Sequence, residues 1–160
     1  MATTTIEWTN TVWNPTTGCD KVSAGCMHCY AEPLAARLQA MGNRRYGAGF
    51  RLALHSDKLD EPLGWKTPQL VFVNSMSDLL HAGVPDAFLL RAFSTMARAN
   101  WHTYQVLTKR ADRWPDVYGL VVDRLGAWPA NVLPGVTIEN VAALDRLGPL
   151  SQVGDAATMR

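Results

Sequence analysis

The chain has 160 residues, 48% hydrophobic and 18% charged, with 9 prolines and 12 glycines; that suffices for one domain over residues 1–160 and is short for two. A net charge of +1 sets up no global field toward nucleic acid or an anionic membrane. The opening "MATTTIEWTN" lacks the basic start and apolar centre of a signal peptide, and no apolar run approaches the roughly 20 residues of a membrane span, so a reducing cytoplasm is the expected compartment.

In chain order, "VWNPTTG" (12–18) reads as an irregular first strand that leads into Cys19, Cys26 and Cys29, every cysteine of the chain. "EPLAARLQAMG" (32–42) is an amphipathic helix with Pro33 in its first turn and Gly42 as its C-terminal cap. "RLALH" (51–55) is short, apolar and strand-like, and "DKLDEPLGW" (57–65) reads as one broken helical segment. "LVFVNS" (70–75), "TYQVLT" (103–108) and "LPGVTI" (133–138) are strands. Between them, residues 85–100 repeat Phe88, Leu89, Ala92, Phe93 and Met96 at helical spacing, and residues 112–126 repeat Trp114, Val117, Tyr118, Val121, Val122 and Leu125.

Strands that alternate with helices imply right-handed crossovers and a parallel sheet buried on both faces, hence an α/β protein, either an open sheet or an arc of a barrel. Such folds carry their chemistry at the C-terminal strand ends. There the sequence places Ser75, Ser77 and Asp78, then Lys109 and Arg110, then Thr137, Glu139 and Asn140. Taken singly, Ser77 or Asp78 reads as a helix cap and Lys109 or Arg110 as a solvated loop charge.

An odd number of clustered cysteines in a reducing compartment argues for metal or redox chemistry over a disulfide frame. A structural zinc takes four protein ligands, so Cys19, Cys26 and Cys29 would need a histidine from among His28, His55, His81 and His102. A [4Fe-4S] cluster on three thiolates is complete as it stands, with one iron left open for a cofactor. Inert buried thiols are the third alternative.

"CMHCYAE" resembles the end of the cluster loop in radical S-adenosylmethionine (SAM) enzymes, where the usual spacing is C-x3-C-x2-C and this chain has C-x6-C-x2-C. Together with "GFRLALHSDKLDEPLGWKTP", "VFVNSMSDLLHAGVP", "QVLTKR" and "LPGVTIEN", it is similar to a phage- and prophage-associated family with a three-cysteine loop, described as radical-SAM-like, and to the spore photoproduct lyase branch. The resemblance implies a partial TIM-type barrel of about five parallel strands with flanking helices, continued in relatives beyond Arg160, and a phage- or prophage-encoded protein in a bacterial host. It implies a [4Fe-4S] cluster on Cys19, Cys26 and Cys29, with zinc as the alternative cofactor. SAM would lie near Ser77 and Asp78 for its amino group, Lys109 for its carboxylate and Thr137 for a further hydrogen bond. His28 and Tyr30 would flank its adenine, and Ser75 and Glu139 stand at the same strand ends. The implied activity is reductive cleavage of SAM to a 5'-deoxyadenosyl radical; the rival is a non-catalytic phage protein acting through a protein partner.

Candidate partners are nucleic acid, a protein, or a second copy paired through an exposed sheet edge, and none is a membrane. Trp8, Trp13, Arg44, Arg45, Tyr46, Lys109, Arg110, Arg113 and Trp114 would supply stacking and phosphate contacts, although scattered tryptophans more often fill cores.

Overall fold

The computed structural model describes residues 2–4 and 6–154. Its main sheet holds β1 (Ala2–Thr3), β2 (Thr11–Trp13), β5 (Leu70–Val73), β6 (Thr103–Thr108) and β7 (Val132–Val136), in that spatial order. The last four are mutually parallel, while β1 runs antiparallel to β2. A separate pair, β3 (Thr16–Thr17) and β4 (Ala53–Leu54), is antiparallel. The helices are α1 (Ala31–Ala40), α2 (Asp86–Arg98), α3 (Trp114–Leu125) and the short α4 (Leu147–Ser151).

The result is a mixed α/β protein with a four-stranded parallel sheet, and it corrects the expectation of about five parallel strands. "RLALH" shrinks to β4, which pairs outside the main sheet, because a short apolar run does not specify its partner. The segment 57–65 forms two 3-10 turns, Ser56–Lys58 and Glu61–Gly64.

The parallel strands follow chain order across the sheet, and α2 and α3 pack against each other beside it. Phe88, Leu89, Ala92, Phe93 and Met96 of α2, with Trp114, Val117 and Val121 of α3, join Val71, Val73, Tyr104 and Val106 of the sheet in one core. Burial alternates along β6, with Tyr104, Val106 and Thr108 buried and Gln105 and Leu107 partly exposed, so the face turned to α2 and α3 is the more deeply buried. The opposite face, with Val12, Phe72 and Leu107, floors a cavity that Ala31 and Leu34 of α1 also line. No helix among the described residues is long and apolar enough to cross a membrane.

The core holds one polar misfit. Tyr104 is fully buried, stands between Trp13 and His102, and its hydroxyl has no hydrogen-bond partner among the described residues. An unpaired buried hydroxyl is a desolvation cost without return. Tyr104→Phe should therefore stabilise the protein by about 1 kcal/mol, read as a higher urea midpoint at unchanged slope, whereas Phe93→Ala should cost about 3–5 kcal/mol.

Candidate functional site

The cysteine loop (19–29) is tied to the C-terminal end of β5 at its first residues. Gly18 N–H donates to the Met76 carbonyl at 3.0 Å and Cys19 N–H to the Phe50 carbonyl at 3.0 Å. A relay of hydroxyls backs this up: Asn74 Nδ2 donates to Thr16 Oγ1 at 2.6 Å, Thr16 to Ser77 Oγ at 2.9 Å, and Ser77 to the Gly18 carbonyl at 2.7 Å. Gly18 has φ of +78°, and a Cβ there would run into the carbonyls of Arg51 and Phe50, so only glycine allows this close approach. Asn74, at φ of +62°, is the one non-glycine residue with positive φ among the described residues. Such strain at a strand end often marks a functional site, yet nothing in "VFVNS" signals it.

Arg110 fastens the same loop from β6. Its Nη1 donates to Cys19 Sγ at 3.3 Å and to Asp78 Oδ2 at 3.3 Å, and its Nη2 to the Asp20 carbonyl at 3.1 Å. Asp78 in turn accepts from Thr108 Oγ1 at 2.8 Å on both oxygens, from Leu80 N–H at 3.0 Å and from Lys109 N–H at 3.2 Å. Both side chains of the pair are about nine-tenths buried, at 10% and 9% exposure. Burial opposes the Arg110 charge, but the Cys19 and Asp78 contacts outweigh it and raise its pKa.

A third clasp comes from the end of β7. Glu139 accepts from the Ser23 hydroxyl and from Arg146 Nη1 at 2.6 Å and Nη2 at 3.2 Å. Its side chain lies against Gly25, where a Cβ would stand 2.8 Å from Glu139 Cγ. The Arg146 hydrogen bonds, ahead of the opposing desolvation, hold the Glu139 carboxyl down at about 2. Arg110, Ser23 and Arg146 are thus site residues that the strand-end reading did not include in its binding set.

These clasps bring most of the expected residues to one cavity of about 730 Å³ at the C-terminal ends of the parallel strands. Cys19, Cys26, Cys29, Tyr30, Ser75, Ser77, Asp78, Lys109 and Thr137 all line it, over an apolar floor that includes Trp8, Phe72 and Leu107. Glu139 lies outside it, in an adjoining polar cavity of about 460 Å³ that shares Val22 and Lys109. His28 is exposed and lines neither. Of the aromatic and basic set, Trp13, Tyr46 and Trp114 are buried, Arg45 pairs with Asp57, and Arg113 caps the carbonyls of Leu80 and His81. Only Trp8 remains as an exposed tryptophan of that set.

The three thiols are free and partly exposed. Burial pushes Cys19 up, with Arg110 opposing. Cys26 is lowered because hydrogen bonds at Val22 and Ser23 and the charge of Lys109 outweigh desolvation. Among the described residues, no three His, Cys, Asp or Glu side chains form a ready-made metal cage. Three of the four histidines are engaged elsewhere: His55 with Thr17, His81 with Asp20 and Gly83 N–H, His102 with Gln69 N–H and the Pro62 carbonyl.

Fold and site together define an α/β protein with a thiol-lined cavity at the C-terminal edge of a parallel sheet. The chain belongs to the family described as Protein of unknown function (DUF5131), whose profile matches residues 3–160. No curated protein and no solved structure gives a significant match.

Removing one partner of the buried pair leaves the other uncompensated, so Asp78→Ala should cost about 3–5 kcal/mol in urea unfolding. Because the Glu139 pKa is depressed from 4.5 to about 2, its contribution to stability is complete above its ordinary value and disappears as pH falls through the folded one. Stability should fall more steeply between those two pH values in the native protein than in Glu139→Gln, measured by urea unfolding across an acid series.

Proposed function

We propose that this protein holds an iron-sulfur cluster on Cys19, Cys26 and Cys29 and binds SAM in the cavity beside it, as a radical SAM protein with the architecture of a partial barrel. The observation that carries the reading is the convergence of all three thiols on one cavity that is also lined by Lys109 and Thr137. Strand order that follows chain order, with α2 and α3 packed against the sheet in one core, supports the barrel arc.

The donor chemistry fits. Three thiols without a fourth suit a cluster with one open iron better than a closed zinc site, and three of the four histidines are already engaged. Lys109 helps to lower Cys26, and Arg110 offsets part of the burial that raises Cys19. A site that is not preformed is ordinary for metal centres, which commonly assemble as the ligand loop closes on the metal.

When bound, the cluster and SAM together would supply an electron and a sulfonium whose reductive cleavage yields methionine and a 5'-deoxyadenosyl radical. The chain's own residues bind and orient. Lys109 has no acidic partner among the described residues and reaches the cavity, which suits it to a carboxylate. Asp78 and Ser77 are spent on Arg110, Thr108, Thr16 and Gly18, so they shape the surroundings of the amino group rather than receive it with free lone pairs. Tyr30, held by its hydroxyl to the Ser75 carbonyl, offers an aromatic face for adenine. The apolar floor excludes water from a reactive radical. Phage association and a nucleic-acid substrate rest on the sequence resemblance alone.

Anaerobic reconstitution with iron and sulfide should load about four irons per chain, and Cys26→Ala should abolish the loading. With dithionite and SAM the loaded protein should release 5'-deoxyadenosine, and Lys109→Ala should weaken SAM binding about tenfold. One tightly held zinc per chain and no iron uptake would establish the non-catalytic reading instead.

A further inference from the structure

The cysteine loop runs directly into α1, whose buried face is made by Ala31 and Ala35. Its outer face carries Met27, Tyr30, Leu34, Arg37 and Met41, spaced three or four residues apart, so they stack as one stripe on the helix and the turn before it. All five are exposed, Met27 to 63%, Tyr30 to 58% and Met41 to 74%. Single exposed apolar residues are ordinary, whereas four in one helical row mark an interaction surface.

The charge of this region is equally uneven. Residues 20–51 contain five basic and two acidic side chains, a balance of +3 in a chain whose total is +1. Lys21 pairs with Glu32 and Arg45 with Asp57, but Arg37, Arg44 and Arg51 are exposed and have no acidic partner among the described residues. The 3-10 turn Arg44–Tyr46 packs on α1, which sets Arg44 beside the helix. Arginine, methionine and tyrosine together are the composition of a protein-binding surface. A nucleic-acid track would need a longer run of cations to neutralise successive phosphates.

We infer that the α1 stripe, flanked by Arg37 and Arg44, is the docking face for an acidic electron-carrying protein that reduces the centre held by the cysteine loop. The inference rests on the radical SAM reading. Each sulfonium cleavage takes one electron into a carbon–sulfur bond, so a one-electron donor, such as a reduced flavoprotein, must be oxidised outside the chain. The stripe suits that role by position, since Tyr30 adjoins Cys29 in sequence and both Tyr30 and Leu34 line the cavity. A donor seated there would sit against the thiol loop, and its negative surface would be steered by the unpaired arginines.

The test uses the reconstituted full chain and a reduced acidic flavodoxin, with dithionite as the small-molecule control, in stopped flow. Arg37→Glu/Arg44→Glu should slow reduction by flavodoxin about tenfold or more and flatten its salt dependence, while reduction by dithionite changes less than twofold. Met41→Asp, at the far end of the stripe, should weaken flavodoxin binding with the cluster spectrum intact. A loaded protein whose reduction by flavodoxin ignores both variants and salt overturns the docking face while leaving the cofactor reading in place. Competition for the same face by a single-stranded oligonucleotide, lost in the double variant, would assign it to nucleic acid and overturn the inference. Failure to load iron at all would overturn the cofactor reading, and this inference with it.

Discussion

The buried pair between Arg110 and Asp78 organises the site. One guanidinium reaches the end of β5 through Asp78 and the cysteine loop through Cys19 and Asp20, while its own backbone continues β6. Ion pairs of this kind seldom add net stability over apolar packing, because two charges must leave water. Their value lies in specificity of placement, since each remaining donor and acceptor demands a partner. Here Thr108, Leu80 and Lys109 N–H fill the rest of the Asp78 lone pairs, so the network is closed on its acidic side.

That closure has a chemical side as well. A thiol is reactive and metal-binding as the thiolate, and Cys19 is raised by burial while Arg110 pulls against it. Cys26, nearer solvent and close to Lys109, lies lower. The loop therefore presents thiols of unequal readiness to any incoming metal, with Cys26 the more easily ionised of these two.

The sequence made the helices plain because their apolar residues repeat with a period that only a helix satisfies. Phe88, Leu89, Ala92, Phe93 and Met96 all reach the core as their spacing requires. "RLALH" was ambiguous, since Ala53 and Leu54 pair with Thr16 and Thr17 through a contact that no local pattern encodes. The gathering of strand-end residues followed from the parallel arrangement itself. What stayed hidden were bonds between residues far apart in the chain: Arg110 to Cys19 spans 91 positions and Ser23 to Glu139 spans 116. An arginine in "LTKR" and a serine in "KVSAG" look like ordinary surface residues until the fold brings their partners beside them.

The Glu139 clasp has a consequence for the order of events in a newly made chain. Cys19, Cys26 and Cys29 leave the ribosome well before the carboxylate that seats their loop, which follows β7 and lies 116 positions beyond its partner Ser23. Contacts of such separation form late, after the entropy of closing the intervening chain has been overcome. During synthesis the thiols consequently pass through an interval in which they are present but unseated, open to oxidation or to stray metal, and the finished site requires the chain to be made at least as far as Glu139 and Arg146.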